Sequence, residues 1–430
     1  MGEGVLMQSG YTRQEGALMC EGVSLERIAA DVGTPVYVYS ATTIRERYRE
    51  LADALAPLGA HLHYSVKANS SLAILSMLRS LGSGVDIVSG GELRRALLAG
   101  FAGKDIVFSG VGKTREELDA ALAAGVGSIN VESEGELALL QHVAAEHGVV
   151  ATVALRVNPN IAADTPHPYT RTGEHGMKFG IPNDRIIDLA MEARDSMPNV
   201  RITGIAAHIG SQIFDPAPFR GAAAVLVDLK RELEASDAAT ITTIDVGGGL
   251  GVRYQNEEHP DLAAYADALR IVSNEPGVQL VVEPGRFLVA ESGVLLARVL
   301  YRKRSGGQDI VITDAAMNDL IRPSLYASHH AVESVESDAE PSLRANVVGP
   351  ICESGDFFAR DRVITDVEPG DLIALRTAGA YGYVMASNYN SRRRPAEVLV
   401  DGDRYAVITE RERFEDLTRR ETLTPEWREP

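Results

Sequence analysis

Cysteine is almost absent from this 430-residue chain: Cys20 and Cys352 are the only two, far apart in sequence. That excludes a disulfide framework and suggests a reducing compartment. Positive charge is also short. Lys plus Arg number 42 against 60 Asp plus Glu, a net charge of −18, which argues against nucleic acid or an anionic membrane surface as the main partner. The one dense basic run, Arg392-Arg393-Arg394, is too local to reverse this. No apolar run approaches the roughly 18 residues needed to span a bilayer. Met1 to Leu6 lack the basic start and apolar stretch of a signal peptide, and Leu6 stands where a myristoylation signal wants Ser or Thr. No solenoid repeat is present. The expectation is a cytoplasmic protein with no nucleic-acid or membrane partner.

What is present is length and rhythm. The chain exceeds the size at which one core stops growing, so two domains are expected. From about residue 60 to 290, short β-branched runs alternate with helical patterns, the mark of βαβ units. The runs are 61–68, 85–89, 105–110, 128–132, 152–159, 202–211, 242–249 and 279–284. Eight of them predict a closed (β/α)8 TIM-type barrel. After about residue 291 the rhythm changes to strands separated by turns, at 293–301, 309–313, 343–348, 371–376 and 397–409, which predicts a mainly antiparallel β domain. The expected division is 37–290 for the barrel, with 1–36 and 291–430 forming the β domain.

Barrel chemistry sits at the C-terminal ends of the strands. There the sequence places Lys67, Asp86 with Ser89, Ser109, Glu132, Arg156 with Asn158, His208 with Ser211, Gly247-Gly248-Gly249, and Glu283 with Arg286. A lone lysine ending an apolar strand is either a snorkelling side chain or a nucleophile whose covalent product is a Schiff base with a carbonyl. The triglycine after the seventh strand is either a tight turn or three backbone N–H groups free to approach an anion. It lacks the glycine spacing of a dinucleotide site. Glu283 is either half of an ion pair or an acid facing a pyridine nitrogen. His208 is either a satisfied core histidine or a flat ring stacked on an aromatic cofactor.

The motifs His63-Tyr64-Ser65-Val66-Lys67-Ala68-Asn69, Gly84 to Leu93, His208-Ile209-Gly210-Ser211-Gln212, Gly247 to Gly251 and Glu283-Pro284-Gly285-Arg286 together resemble the pyridoxal-phosphate decarboxylases built on the alanine-racemase-like fold. The resemblance runs from about Tyr37 to Val400 and lies nearest the family's diaminopimelate branch. It implies pyridoxal 5'-phosphate as cofactor and no metal. Lys67 would carry the cofactor, His208 stack on its ring, and Glu283 face its nitrogen. Ser211, Gly247, Gly248, Gly249 and Tyr381 would contact its phosphate, Gly285 and Arg286 would also bind the cofactor, and Asp86 and Arg156 would support the lysine.

In the β domain, Val348 to Asp356 resembles the segment that reaches into a partner's active site, which implies a homodimer with shared sites. Cys352 would then donate a proton, and Glu353 would hold a substrate ammonium. Read without the resemblance, Cys352 is a buried structural cysteine. Arg286, Arg322, Tyr326 and Tyr381 match contacts to a small amino-acid substrate. Arginine suits a distal carboxylate because its planar fork grips both oxygens; the alternative for Arg322 is a solvated charge before Pro323. The implied reaction is decarboxylation of meso-diaminopimelate to lysine, with sister decarboxylases of ornithine, arginine or carboxynorspermidine, a racemase, or a non-catalytic cofactor-binding regulator as rivals. The sequence departs from the family pattern at Arg171, Ala316 and Thr377.

Overall fold

A computed structural model describes residues 10–167, 172, 173 and 176–428. Eight parallel strands alternate with helices: β1 (His61–Ser65), β2 (Gly84–Ile87), β3 (Ile106–Phe108), β4 (Ser128–Val131), β5 (Ala151–Asn158), β6 (Val200–Ala206), β7 (Thr243–Asp245) and β8 (Gln279–Val282). Each pairs with the next, and β8 returns to β1 through Val281↔His61, so the sheet closes. The strands are rich in Val, Ile and Leu because both faces are covered, one by side chains filling the barrel and the other by helices. Val85, Ile87, Ile106, Phe108, Val153, Leu155, Ile205, Ile244 and Leu280 are all buried.

The helices start where their caps dictate. Ser89 Oγ accepts from the Glu92 amide, Ser133 Oγ from Glu136, and Asp261 Oδ1 from Ala263 and Ala264. Thr114 and Glu117 form a reciprocal capping box. Each cap satisfies otherwise orphaned N–H groups just beyond a strand end and so fixes the βα loops at one rim. The strand expected to end at Lys67 stops at Ser65 instead, and Lys67 lies in the single 3-10 turn Val66–Ala68.

Residues up to Thr42 and from Glu291 onward make the second unit. Its larger sheet contains the strands Val36–Ser40, Gly293–Ser305, Gln308–Thr313, Leu343–Val348, Phe357–Ile364, Leu372–Leu375, Ala396–Asp401 and Arg404–Thr409. Pairing is antiparallel except between Gln308–Thr313 and Leu343–Val348 and between Val36–Ser40 and Ala396–Asp401. A core of Tyr11, Leu18, Ile28, Val36, Val38, Val294, Leu296, Leu372 and Val398 holds the unit together.

Two expectations change here. Val36–Ser40 is hydrogen-bonded on both sides within this sheet, so the barrel unit begins at Thr43 rather than at residue 37. Phe357–Ile364 carries an Ala-Arg-Asp-Arg stretch that breaks apolar alternation, and it escapes a pattern reading. Its pairing shifts register on both flanks of Val347, and Asp361 sits at φ 48. Among the described residues no helix is long and apolar enough to cross a membrane.

Candidate active site

At the C-terminal rim of the barrel a cavity of about 500 Å³ is lined by Lys67, Ser109, Asn130, Arg156, His208 and Glu283, among others. The turn after β1 delivers Lys67 Nζ to 3.0 Å from Asp86 Oδ2 at the end of β2. Asp86 is fully buried and also accepts from Ser65 Oγ at 2.6 Å. Burial alone would raise its pKa, but the Lys67 ammonium and the hydroxyl outweigh that and hold the carboxyl below its usual value. An unpaired buried carboxylate would cost several kcal/mol, so Asp86 stays ionised because Lys67 is there, and Lys67 is aimed because Asp86 is there.

His208 follows β6. Burial, then the Lys67 and Arg156 charges, push its imidazole down to about 3, so the ring is neutral. Its Nδ1 accepts from the Gly248 amide at 3.2 Å, which leaves the ring proton on Nε2. Glu283, at the end of β8, is pushed well above the ordinary carboxyl value by burial and by the negative charges of Asp245 and Asp86. Asp245 rises to about 6 for the same first reason, burial. The two side chains are hydrogen-bonded, with Glu283 as the group that holds the proton. Glu283 Oε1 also accepts from Ser109 Oγ at 3.4 Å, and Ser109 in turn accepts from Asn130 at 3.1 Å.

The triglycine works differently from the sequence expectation of three free amides. Gly247 N–H donates to Asp245 Oδ1 at 2.8 Å and Gly248 N–H to His208 Nδ1, so two of the three are turned inward. What the glycines provide is close approach. A Cβ on Gly248 would stand 2.1 Å from the Glu283 carbonyl oxygen, and Gly247 and Gly249 have φ values of 71 and 119. Beside them Ser211 Oγ accepts from Arg286 Nη2 at 2.9 Å, and Arg286 Nη1 donates to Tyr254 Oη at 2.7 Å. Gly285 packs its bare Cα side against Ala68 and Ser65. Arg156 donates to Glu132 at 2.6 Å and lies over the Phe179 ring at 5.0 Å.

The remaining expected residues lie in the β unit. Cys352 is exposed, not buried as its bare sequence context suggested, and its amide donates to Asn390 Oδ1 at 3.2 Å. The phenol of the exposed Tyr389 donates to Glu353, which raises the Tyr389 pKa. Asp356 staples this segment, accepting from Met317 N–H and Ile351 N–H at 2.7 Å each. Ser324 donates to the Gly355 carbonyl and ties in the short helix Arg322–Tyr326. Arg322 is buried, not solvated. Tyr381 sits at φ 55, as does Thr377. Ala316 donates its amide to Asp319, and Arg171 lies outside the described residues. Sequence reasoning assigned no role to Asp245, Asn130, Tyr254, Asn390 or Asp356. Only Asp245 carried a signal, as the acid opening the glycine motif.

A reactive amine, a neutral flat imidazole and a proton-holding carboxyl around one cavity, with a side-chain-free turn beside them, fit a pyridine ring that bears an aldehyde and a phosphate. The profile described as "Pyridoxal-dependent decarboxylase, pyridoxal binding domain" matches residues 41–290. The chain belongs to the pyridoxal-dependent decarboxylases. It is 48% identical over 416 residues, 97% of this chain and 99% of the other, to diaminopimelate decarboxylase of Pseudomonas aeruginosa. Among solved structures, diaminopimelate decarboxylase from Helicobacter pylori complexed with L-lysine is 40% identical at TM-score 0.87, covering 92% of this chain and 98% of that one. The enzyme from M. jannaschii in co-complex with L-lysine is 35% identical at TM-score 0.90, covering 97% and 99%. This pyridoxal-dependent decarboxylase shares the barrel-plus-β-sheet architecture with both.

Proposed function

We propose that this chain converts meso-2,6-diaminopimelate to L-lysine and CO2, the last step of lysine biosynthesis, with pyridoxal 5'-phosphate as cofactor. The observation that carries the reading is the convergence of Lys67, His208 and Glu283 on one cavity in a chain so similar to diaminopimelate decarboxylases. When bound, the cofactor supplies an electron-withdrawing ring that accepts the electron pair of the breaking carbon–carboxylate bond. Lys67 Nζ is the amine that would hold the cofactor's aldehyde, with Asp86 orienting it and balancing its charge. His208 presents a neutral ring for stacking. Glu283 would bring a proton for the pyridine nitrogen, and the negative charges of Asp245 and Asp86, which disfavour a bare Glu283 carboxylate, would keep that proton available. Ser211, Gly247, Gly248 and Gly249 would hold the phosphate, Gly285 and Arg286 would complete the cofactor's surroundings, and Arg156 fixes the rim through Glu132.

The β unit supplies the substrate-specific part: Arg322, Tyr326 and Tyr381, together with Arg286, for recognition of the distal carboxylate end, and Glu353 for an ammonium. In a cytoplasmic homodimer with shared active sites, Cys352 of the partner subunit protonates the carbon that has lost CO2. The exposure of Cys352 in the single chain supports this assignment. Product analysis with diaminopimelate and with ornithine tests the reading. Lysine formation with stoichiometric CO2 is expected, and preferential turnover of ornithine would overturn it.

A further inference from the structure

The acceptor that holds a buried arginine decides how much of its charge is left for a ligand. Arg156 is held by the Glu132 carboxylate at 2.6 Å, and Arg376 lies 3.7 Å from Glu333. At both contacts positive charge meets negative. Two contacts of Arg322 differ in kind. Its Nη1 lies 3.2 Å from His330 Nε2, and its Nη2 donates to Ser328 Oγ at 3.4 Å.

His330 is wholly buried, and its Nδ1 lies 2.8 Å from the Arg376 carbonyl oxygen. A carbonyl oxygen can only accept, so Nδ1 carries the proton. Nε2 then presents its lone pair, and a guanidinium N–H is the partner it needs. Burial, followed by the Arg322 charge, drives the imidazole pKa well below its ordinary value, so the ring stays neutral. The backbone fixes it from both sides. Arg376 N–H donates to the Ala331 carbonyl at 2.9 Å, Leu375 pairs with Val332, and Arg362 donates to the His330 carbonyl. Ala327, at φ 51, ends the helix that carries Arg322 and turns the chain back towards His330.

We infer that His330 is a positioning residue: it fixes the Arg322 guanidinium through a neutral acceptor, which orients the fork for a substrate's distal carboxylate without subtracting from its charge. This rests on the reading of Arg322 as a distal-carboxylate contact. A carboxylate in place of His330 would orient Arg322 equally well but set a negative charge against the incoming one.

The test is steady-state kinetics of the holoenzyme with diaminopimelate, alongside competitive inhibition by 1,5-diaminopentane, which keeps a reacting amine but lacks the distal carboxylate. Removing the acceptor while keeping a ring, His330→Phe, should raise KM about tenfold with kcat within about threefold, the scale of one hydrogen bond to a charged group. His330→Glu keeps an acceptor but adds charge and should raise KM at least as much. His330→Gln, whose amide oxygen reaches the Nε2 position, should recover most of the parent KM. The inhibition constant of 1,5-diaminopentane should not move in any of them.

Variants Phe and Glu within about twofold of the parent KM, Glu behaving as Gln, or KM and 1,5-diaminopentane inhibition shifting together would each overturn the inference. If the Phe variant fails to fold, the Glu and Gln pair decides. Arg322→Met, measured in parallel, separates the two levels. An unchanged KM there sinks the Arg322 assignment and this inference with it, whereas a raised KM with silent His330 variants sinks this inference alone.

Discussion

The rim of the barrel and the loop cluster of the β unit carry the two halves of the proposed chemistry, and they are built in opposite ways. In the barrel each functional side chain stands at or just past a strand end, is buried or half-buried, and is held by another strand end: Lys67 by Asp86, Glu283 by Asp245 and Ser109, His208 by the turn after β7. In the β unit the corresponding side chains ride on loops and one short helix, and although Arg322 is buried, Cys352 and its neighbour Tyr389 are exposed. One buried carboxylate, Asp356, organises those segments by accepting two backbone amides. The first arrangement suits a group that remains bound through many turnovers. The second suits contacts that a substrate or a second subunit completes.

Four measurements probe that contrast. Lys67→Ala should cost on the order of 10⁴-fold in kcat and abolish the visible absorbance of the lysine-bound cofactor; an unchanged spectrum would break the barrel half of the comparison. Cys352→Ala should slow turnover by about 10²–10⁴-fold, the range for a lost general acid, while leaving the cofactor spectrum intact. Wild-type rates would remove the thiol from the mechanism.

Asp356→Asn keeps one acceptor and loses the other. It should destabilise the loop cluster by about 1–3 kcal/mol and slow turnover through Cys352, with the barrel's cofactor affinity unmoved. A matching loss of cofactor affinity would mean that the halves are not separable. The last measurement concerns stability rather than turnover, at Asp319, whose oxygens accept from Ala316 N–H and Asn318 Nδ2. Burial pushes its carboxyl up from 3.8 to about 7. The folded chain therefore holds that proton more tightly than the unfolded chain, and the stability this adds is lost as pH rises from about 4 to about 7. Asp319→Asn cannot titrate, so its stability relative to the parent in urea should improve by up to about 1.4 kcal/mol per pH unit across that window. A flat difference would show that the carboxyl is not raised.

The same contrast governs what could be read from the sequence. The barrel was legible because period-two apolar runs and helical spacing repeat eight times, and a lysine or glutamate ending such a run has nowhere else to point. Its networks were not, since Tyr254 meets Arg286 and Asn130 meets Ser109 only after the sheet closes. The triglycine left two readings open because nothing local says that Asp245 and His208 take two of its amides. In the β unit the motif around Cys352 stood out, but its exposure and its Asp356 anchor depend on contacts across tens of residues. His330 looked like any histidine beside another, because its role resides in a carbonyl that lies 46 residues away.

The neighbouring strands Val36–Ser40 and Gly293–Ser305 also say something about how the protein is made. Their junction is closed by Ser40 N–H donating to the Ser292 carbonyl at 2.8 Å and by the pairing Tyr39↔Gly293. Between those partners runs the whole stretch 43–290, an insertion of about 250 residues. As a flexible loop it would oppose that pairing by about 5 kcal/mol of closure entropy. Once the inserted unit has folded, its own first helix and last turn are already together, with the Arg47 guanidinium 5.9 Å from the Phe287 ring centre. The order of synthesis then becomes an order of assembly. The N-terminal strand has to wait, unpaired along this edge, until the inserted stretch has folded and the returning chain can lie down beside it, and slowing the inserted unit's folding should lengthen the time that edge spends open.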